Sequence, residues 1–235
     1  MALPKLNTQT FELNIPSTDE KIKYRPFLVK EEKILLQAQE GENLEMMDAI
    51  IQIINNCPFD KINVEKLPAF DIEYIFLKIR SKSVGERVNL SVLAPDDNKT
   101  KIPVELDLSK IEVEVDDDHN NSIEITKDIK VIMSYPTIKT FTTITQDINN
   151  LKGSDIISMT AKCIHQIING VETFEAVDLS DDEIIEFLEN LTQEQFRKLQ
   201  NFFTTMPRLK KVLNVTNPKT KKKGKVTLQG IQSFF

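Results

Sequence analysis

The apolar residues of this chain change their period twice, and few folds accommodate that order. Up to Gly85 they recur at helical spacing, with Leu44, Met47, Ile51 and Ile54 on one stripe and Ile72, Ile75, Phe76 and Ile79 on another. From Glu86 to Pro136 they alternate at period two, through Val88, Leu90 and Val92, then Ile102 to Leu108, Ile111, Val113 and Val115, Ile123 and Ile125, and Ile129 and Val131. Beyond Ser154 the helical spacing returns. Blocks of helix, strand and helix, rather than strict strand–helix alternation, predict an α+β fold. The expected architecture is an antiparallel sheet of four or five strands, flanked by N-terminal and C-terminal helical sections and followed by a C-terminal β-hairpin.

Local signals set the boundaries. Thr10–Ile15 and Lys21–Phe27 alternate around a Pro16–Glu20 turn, which reads as a hairpin, and helices are expected over Val29–Glu40, Glu42–Asn55 and Ala69–Ser81. A helix from near Ser154 is expected to carry Ile157, Ala161, Ile164 and Ile168 and to stop at Gly170. Ser180-x-x-Glu183 and Thr192-x-x-Gln195 are capping boxes that open two further helices, the second closed by Pro207. Lys210–Thr216 and Lys225–Leu228 form a hairpin around a lysine-rich turn. The expected sections are therefore 1–83, 84–140, 141–207 and 208–235, interlocked as one unit, because no Pro/Gly/Ser-rich linker separates them.

Composition excludes several classes. Hydrophobic residues make up 40 % and charged residues 28 %, with only two cysteines, which argues against disorder and against a disulfide scaffold. The polar start lacks the apolar core of a signal peptide, and the longest uncharged run, Ala49–Phe59, has 11 residues where a membrane span needs about 20. A soluble cytoplasmic protein is expected.

Sites for chemistry are scarce. The only imidazoles are His119, in an acidic loop, and His165. On a helix Cys163 and His165 would point to opposite faces, so they cannot share a metal there, and a buried thiol with an exposed imidazole is expected. The six glycines form no phosphate-binding pattern, and no zinc-knuckle cysteines occur. Glu112 and Glu114 read as a solvated strand face, and Asp181 to Glu183 as helix-start acids. No cofactor, metal or catalytic residue is expected.

Arg208 to Phe235 carries eight Lys/Arg and no acid, whereas Glu175 to Glu194 carries eight acids and no base. Attachment to another protein is the expected role of this end, with Lys221, Lys222, Lys223, Ile231, Phe234 and Phe235 as candidate contacts, presented to a partner or folded back onto the parent core. The alternative is nucleic-acid binding through Lys219–Lys225. The net charge of −6 and the absence of aromatic residues between the lysines disfavour it.

Five strings, in this order, then carry a resemblance: Met1-Ala2-Leu3-Pro4-Lys5-Leu6-Asn7, Tyr24-Arg25-Pro26-Phe27-Leu28-Val29-Lys30-Glu31-Glu32-Lys33, Arg80-Ser81-Lys82-Ser83-Val84-Gly85-Glu86, Ser134-Tyr135-Pro136, and Leu228-Gln229-Gly230-Ile231-Gln232-Ser233-Phe234-Phe235. Together the chain resembles the T4-like bacteriophage baseplate hub protein family. The resemblance implies a non-enzymatic hub component or hub-assembly factor of a contractile tail. Its implied partners are other hub proteins, in the host cytoplasm during assembly or in the virion baseplate, with no small-molecule substrate and no membrane. No string is catalytic.

Overall fold

The structure, a computed structural model, describes residues 7–41, 43–140 and 153–234. In chain order it contains β1 (Phe11–Asn14), β2 (Lys21–Tyr24), α1 (Val29–Gln39), α2 (Asn43–Asn56), α3 (Ala69–Val84), β3 (Arg87–Leu93), β4 (Lys101–Asp107), β5 (Val113–Glu114), β6 (Ser122–Glu124) and β7 (Ile129–Met133). There follow α4 (Gly153–Lys162), β8 (Ile164–Asn169), β9 (Glu172–Glu175), α5 (Asp181–Glu189), α6 (Gln193–Thr205), β10 (Arg208–Thr216) and β11 (Lys223–Gln229). The fold is α+β with antiparallel sheets.

The chain divides into two compact units. One comprises residues 1–64, 70–114 and 208–235, the other residues 65–69 and 115–207.

In the first unit α3 is buried on most sides: Phe70, Ile72, Ile75, Phe76, Leu77 and Ile79 are all buried, with Asp71 and Ser81. Such a helix belongs in a core rather than on a surface. Ile50, Ile53 and Ile54 of α2 and Ile22 and Tyr24 of β2 are buried in the same unit. α1 is anchored by Glu31, which is fully buried. It accepts from the Leu28 N–H at 2.8 Å and from Arg25 Nη2 at 2.9 Å, so its carboxylate is fully engaged. Asp71 plays a similar part for the β1–β2 turn, accepting from the Ser17 N–H at 3.0 Å and from its hydroxyl. β3 and β4 form a hairpin, while β11, β10 and β5 form a three-stranded sheet in that order.

In the second unit a four-stranded meander runs β6-β7-β8-β9. Val131, Ile167, Ile184, Leu188, Leu199 and Phe202 share its buried core, which joins one sheet face to α5 and α6. Both capping boxes form, with Ser180 accepting from the Glu183 N–H and Thr192 from the Gln195 N–H, each at 3.3 Å.

Two expectations are corrected. The strands between Arg87 and Met133 do not form one sheet. They are divided among three, because their alternation fixes which side chains face inward but not which strand lies alongside, and β8 to β11 supply the partners. A 3-10 turn at Leu108–Lys110, capped by Asp107 through the Ser109 N–H at 3.1 Å, interrupts the run.

The helix expected to reach Gly170 ends at Lys162, where the Cys163 N–H donates to Met159 and Thr160 carbonyls. Ile164 to Asn169 is strand β8, and its β-branched Ile167 and Ile168 pair with Val131 and Lys130 of β7. Gly170, at φ +60°, is the turn between β8 and β9, not a helix stop.

Candidate partner-contact site

The C-terminal hairpin presents its lysines on a turn held by a buried asparagine. The chain reverses at Asn217-Pro218, and Asn217 is only 1 % exposed although it sits in a turn. Its N–H donates to the Lys222 carbonyl at 2.9 Å and its own carbonyl accepts from the Lys221 N–H at 2.9 Å. The side-chain oxygen accepts from the Lys219 N–H at 2.8 Å, which is the local bonding that makes asparagine a turn residue. Its amide nitrogen donates outward, to Asp96 Oδ1 at 2.9 Å and Asp97 Oδ2 at 3.1 Å.

Those two carboxylates belong to the turn between β3 and β4, so the two turns are stapled together. Thr220 Oγ1 adds a bond to Asp96 Oδ2 at 2.6 Å. Gly224 completes the join: a Cβ there would lie 2.4 Å from Pro95 Cγ, closer than any side chain tolerates. Hydrogen bonds, from Thr220 for Asp96 and from Thr100 for Asp97, lower the pKa of both acids, that of Asp97 well below the usual carboxylate range. Both therefore remain charged acceptors at neutral pH.

The lysines stand apart from this network. Lys221, Lys222 and Lys223 are exposed, and among the described residues none of them lies in an ion pair. Asp96 and Asp97, across the staple, accept from Asn217, Thr220 and Thr100. The turn therefore presents exposed lysines in no ion pair on a backbone held by Asn217, with Lys221 at φ +62°.

The three apolar candidates are placed differently. Ile231 (6 % exposed) and Phe234 (0 %) lie in a 3-10 turn over Ile231–Phe234 and are core residues of the first unit. Of the two orientations expected, Ile231 and Phe234 take the inward one. A 3-10 turn in place of an extended strand brings residues three apart onto one side, which lets both point in. The Ile231 N–H donates to Glu73 Oε1 of α3 at 3.3 Å, and burial pushes the Glu73 carboxyl up to about 7. Phe235 lies outside the described residues.

Sequence reasoning missed Asn217, Thr220, Asp96 and Asp97 as the builders of this site. Nothing local in the sequence shows that the turn at Asp96 and Asp97 meets the one at Asn217.

The two imidazoles are accounted for by their surroundings. His119 Nδ1 lies 3.0 Å from Thr205 Oγ1 and Nε2 lies 2.9 Å from Tyr135 Oη. Because the Thr205 hydroxyl donates to the Asn201 carbonyl at 2.9 Å, it accepts from Nδ1–H, leaving Nε2 to accept from Tyr135. The ring stacks on Tyr135 and tilts against Phe202, and its burial lowers its pKa against the pull of Asp116. Both ring nitrogens are thus engaged by hydroxyls in a neutral, packing imidazole.

Cys163 is buried and His165 exposed, as expected, though Cys163 lies in the turn after α4 and His165 on β8 rather than both on a helix. A groove of about 470 Å³ in the second unit mixes Asp118, Glu124 and Glu194 with Arg197 and Lys198. Among the described residues no group of three His, Cys, Asp or Glu side chains is placed to hold a metal ion, and no helix is long and apolar enough to cross a membrane.

Comparison with known proteins gives one result. Residues 7–235 match the model of a family described as T4 bacteriophage base plate protein. No curated protein and no solved structure matches the chain.

Proposed function

Since the chain belongs to the T4 bacteriophage base plate protein family, we propose that it works by binding other proteins of the baseplate hub, as a hub component or as a factor in hub assembly, without catalysing a reaction. The observation that carries this reading is the stapled turn. A turn whose backbone is fixed by Asn217 and two aspartates, while Lys221, Lys222 and Lys223 stay unpaired, is organised to meet a negatively charged surface. Fixed charge of one sign steers encounter and sets orientation more than it adds affinity. The engaged nitrogens of His119 support a role without catalysis.

The partner surface is acidic protein. Aromatic residues are absent between Lys219 and Lys225, so a stacked single strand has no platform on this turn. Binding to duplex DNA that weakens steeply with added salt would favour the nucleic-acid alternative instead.

The test is co-purification of the tagged chain from phage-infected cells, comparing assembling baseplates with mature particles. A hub component is recovered from both, an assembly factor from the first alone, and recovery from neither refutes the proposal. Changing Lys221, Lys222 and Lys223 to Glu should lower recovery while the circular dichroism spectrum stays that of the wild type. Unchanged recovery would remove the turn from the interface.

A further inference from the structure

Two strands end their sheets with an open outer edge, and the edges carry opposite charge. β9 closes the four-stranded sheet, and among the described residues its main chain pairs only with β8. It reads Glu-Thr-Phe-Glu, with Glu172, Thr173 and Phe174 exposed, Phe174 to 41 %, and it is flanked by the fully exposed Val171 and by Val177 at 87 %. β11 closes the three-stranded sheet and among the described residues pairs only with β10. Its Lys223, Lys225, Thr227 and Gln229 are exposed.

An unpaired edge is a template for another strand, and charge on it is the usual guard. Here the guards are of opposite sign, so one edge rejects its own kind and accepts the other. The spacing agrees. Glu172 and Glu175 are three residues apart, and so are Lys222 and Lys225. In one antiparallel register, with Glu172 opposite Lys225, Glu175 falls opposite Lys222, and the exposed Phe174 ring lies against the stem of Lys223. Lys222 contributes only its side chain, because its main chain is bonded within the turn to Asn217 and Thr220.

We propose that the β9 edge of one copy pairs with the β11 edge of a second copy. The contact joins different surfaces, so each copy gives one edge and receives the other. Repetition then builds a ring or an open chain according to the rotation between copies. This self-association shares Lys222 and Lys223 with the turn proposed to bind the hub, so the two contacts compete there, and it is measured without any hub protein.

The experiment is sedimentation velocity of the full chain over a micromolar concentration series, at low and high salt. The wild type should show a mass that rises with concentration at low salt and falls back when salt screens the edge charges. Glu172→Lys with Glu175→Lys in one variant, and Lys222→Glu with Lys225→Glu in another, should each weaken association at least about tenfold, since two attractive pairs become repulsive. An equimolar mixture of the two variants, each checked for native circular dichroism, should regain association. A wild type that stays monomeric at every concentration, variants that associate like the wild type, or a mixture that fails to regain association would each overturn the proposal.

Discussion

Replacing Glu73 with Gln should stabilise the first unit at alkaline pH and leave it unchanged in acid. The carboxyl sits on α3 beneath the C-terminal 3-10 turn, with Oε1 accepting from the Ile231 N–H and Gly230, at φ +74°, passing close above it. Burial raises its pKa from 4.5 to about 7, against the smaller opposing effect of the Ile231 hydrogen bond. The unfolded chain therefore loses this proton before the folded one does. Below about pH 4.5 both states hold the proton and folding is not penalised. Through the window from about 4.5 to about 7 stability falls as pH rises, and above it the full cost remains.

At about 1.36 kcal/mol per pH unit the shift sets a ceiling of about 3 kcal/mol. Solvent reaching a half-buried carboxyl lowers the expected value to about 1–3 kcal/mol. Gln is the shape of the protonated acid and keeps the acceptor for Ile231, so the variant should lack the penalty and little else. Urea unfolding at pH 4.5, 6 and 8, with hydrogen exchange over residues 226–234 to localise the effect, reads the difference. Equal stability of the two proteins at pH 8, or a variant weaker by the same amount at every pH, would refute the reasoning.

Further outcomes are expected elsewhere. Asn217→Asp should destabilise the first unit by about 2–4 kcal/mol, because it removes two charge-assisted donors and sets a third carboxylate beside Asp96 and Asp97. A wild-type denaturation midpoint for this variant would contradict the staple. Phe234→Ala should cost about 3–5 kcal/mol for a fully buried ring, measured by chemical denaturation, and a chain ending at Leu228 should lose structure as well as any binding. Cys57 and Cys163, both buried with thiols pushed up to about 11 and about 12, should resist a thiol reagent in the native protein and react on unfolding. Fast native-state labelling at either position would show that the surrounding core opens.

What could be read from the residues alone was local. The capping boxes at Ser180 and Thr192, the first hairpin and the C-terminal hairpin are written within a few positions, and all of them form. Strand partnership was not legible. Val113 alternates like its neighbours, yet it pairs with Leu209, nearly a hundred residues on. The Ile164 to Asn169 segment satisfies a helical stripe and a strand equally, and the open side of β7 decided between them. The contact site shows the same limit: the lysines announce charge, but the residues that hold them, Asn217 and the two aspartates, are about 120 positions apart.

The first unit draws on three separate stretches of chain, and the last of them, residues 208–235, supplies Leu209, Leu228, Ile231 and Phe234 to its interior. Its earlier helices, α1 to α3, are synthesised well before the residues that complete their core. The second unit is almost contiguous, from 115 to 207, and has all its strands available sooner. The chain of the second unit is thus complete before that of the first, although the first unit begins earlier in the sequence. The staple of the lysine turn to Asp96 and Asp97 likewise joins the last stretch of chain to one made about 120 residues earlier.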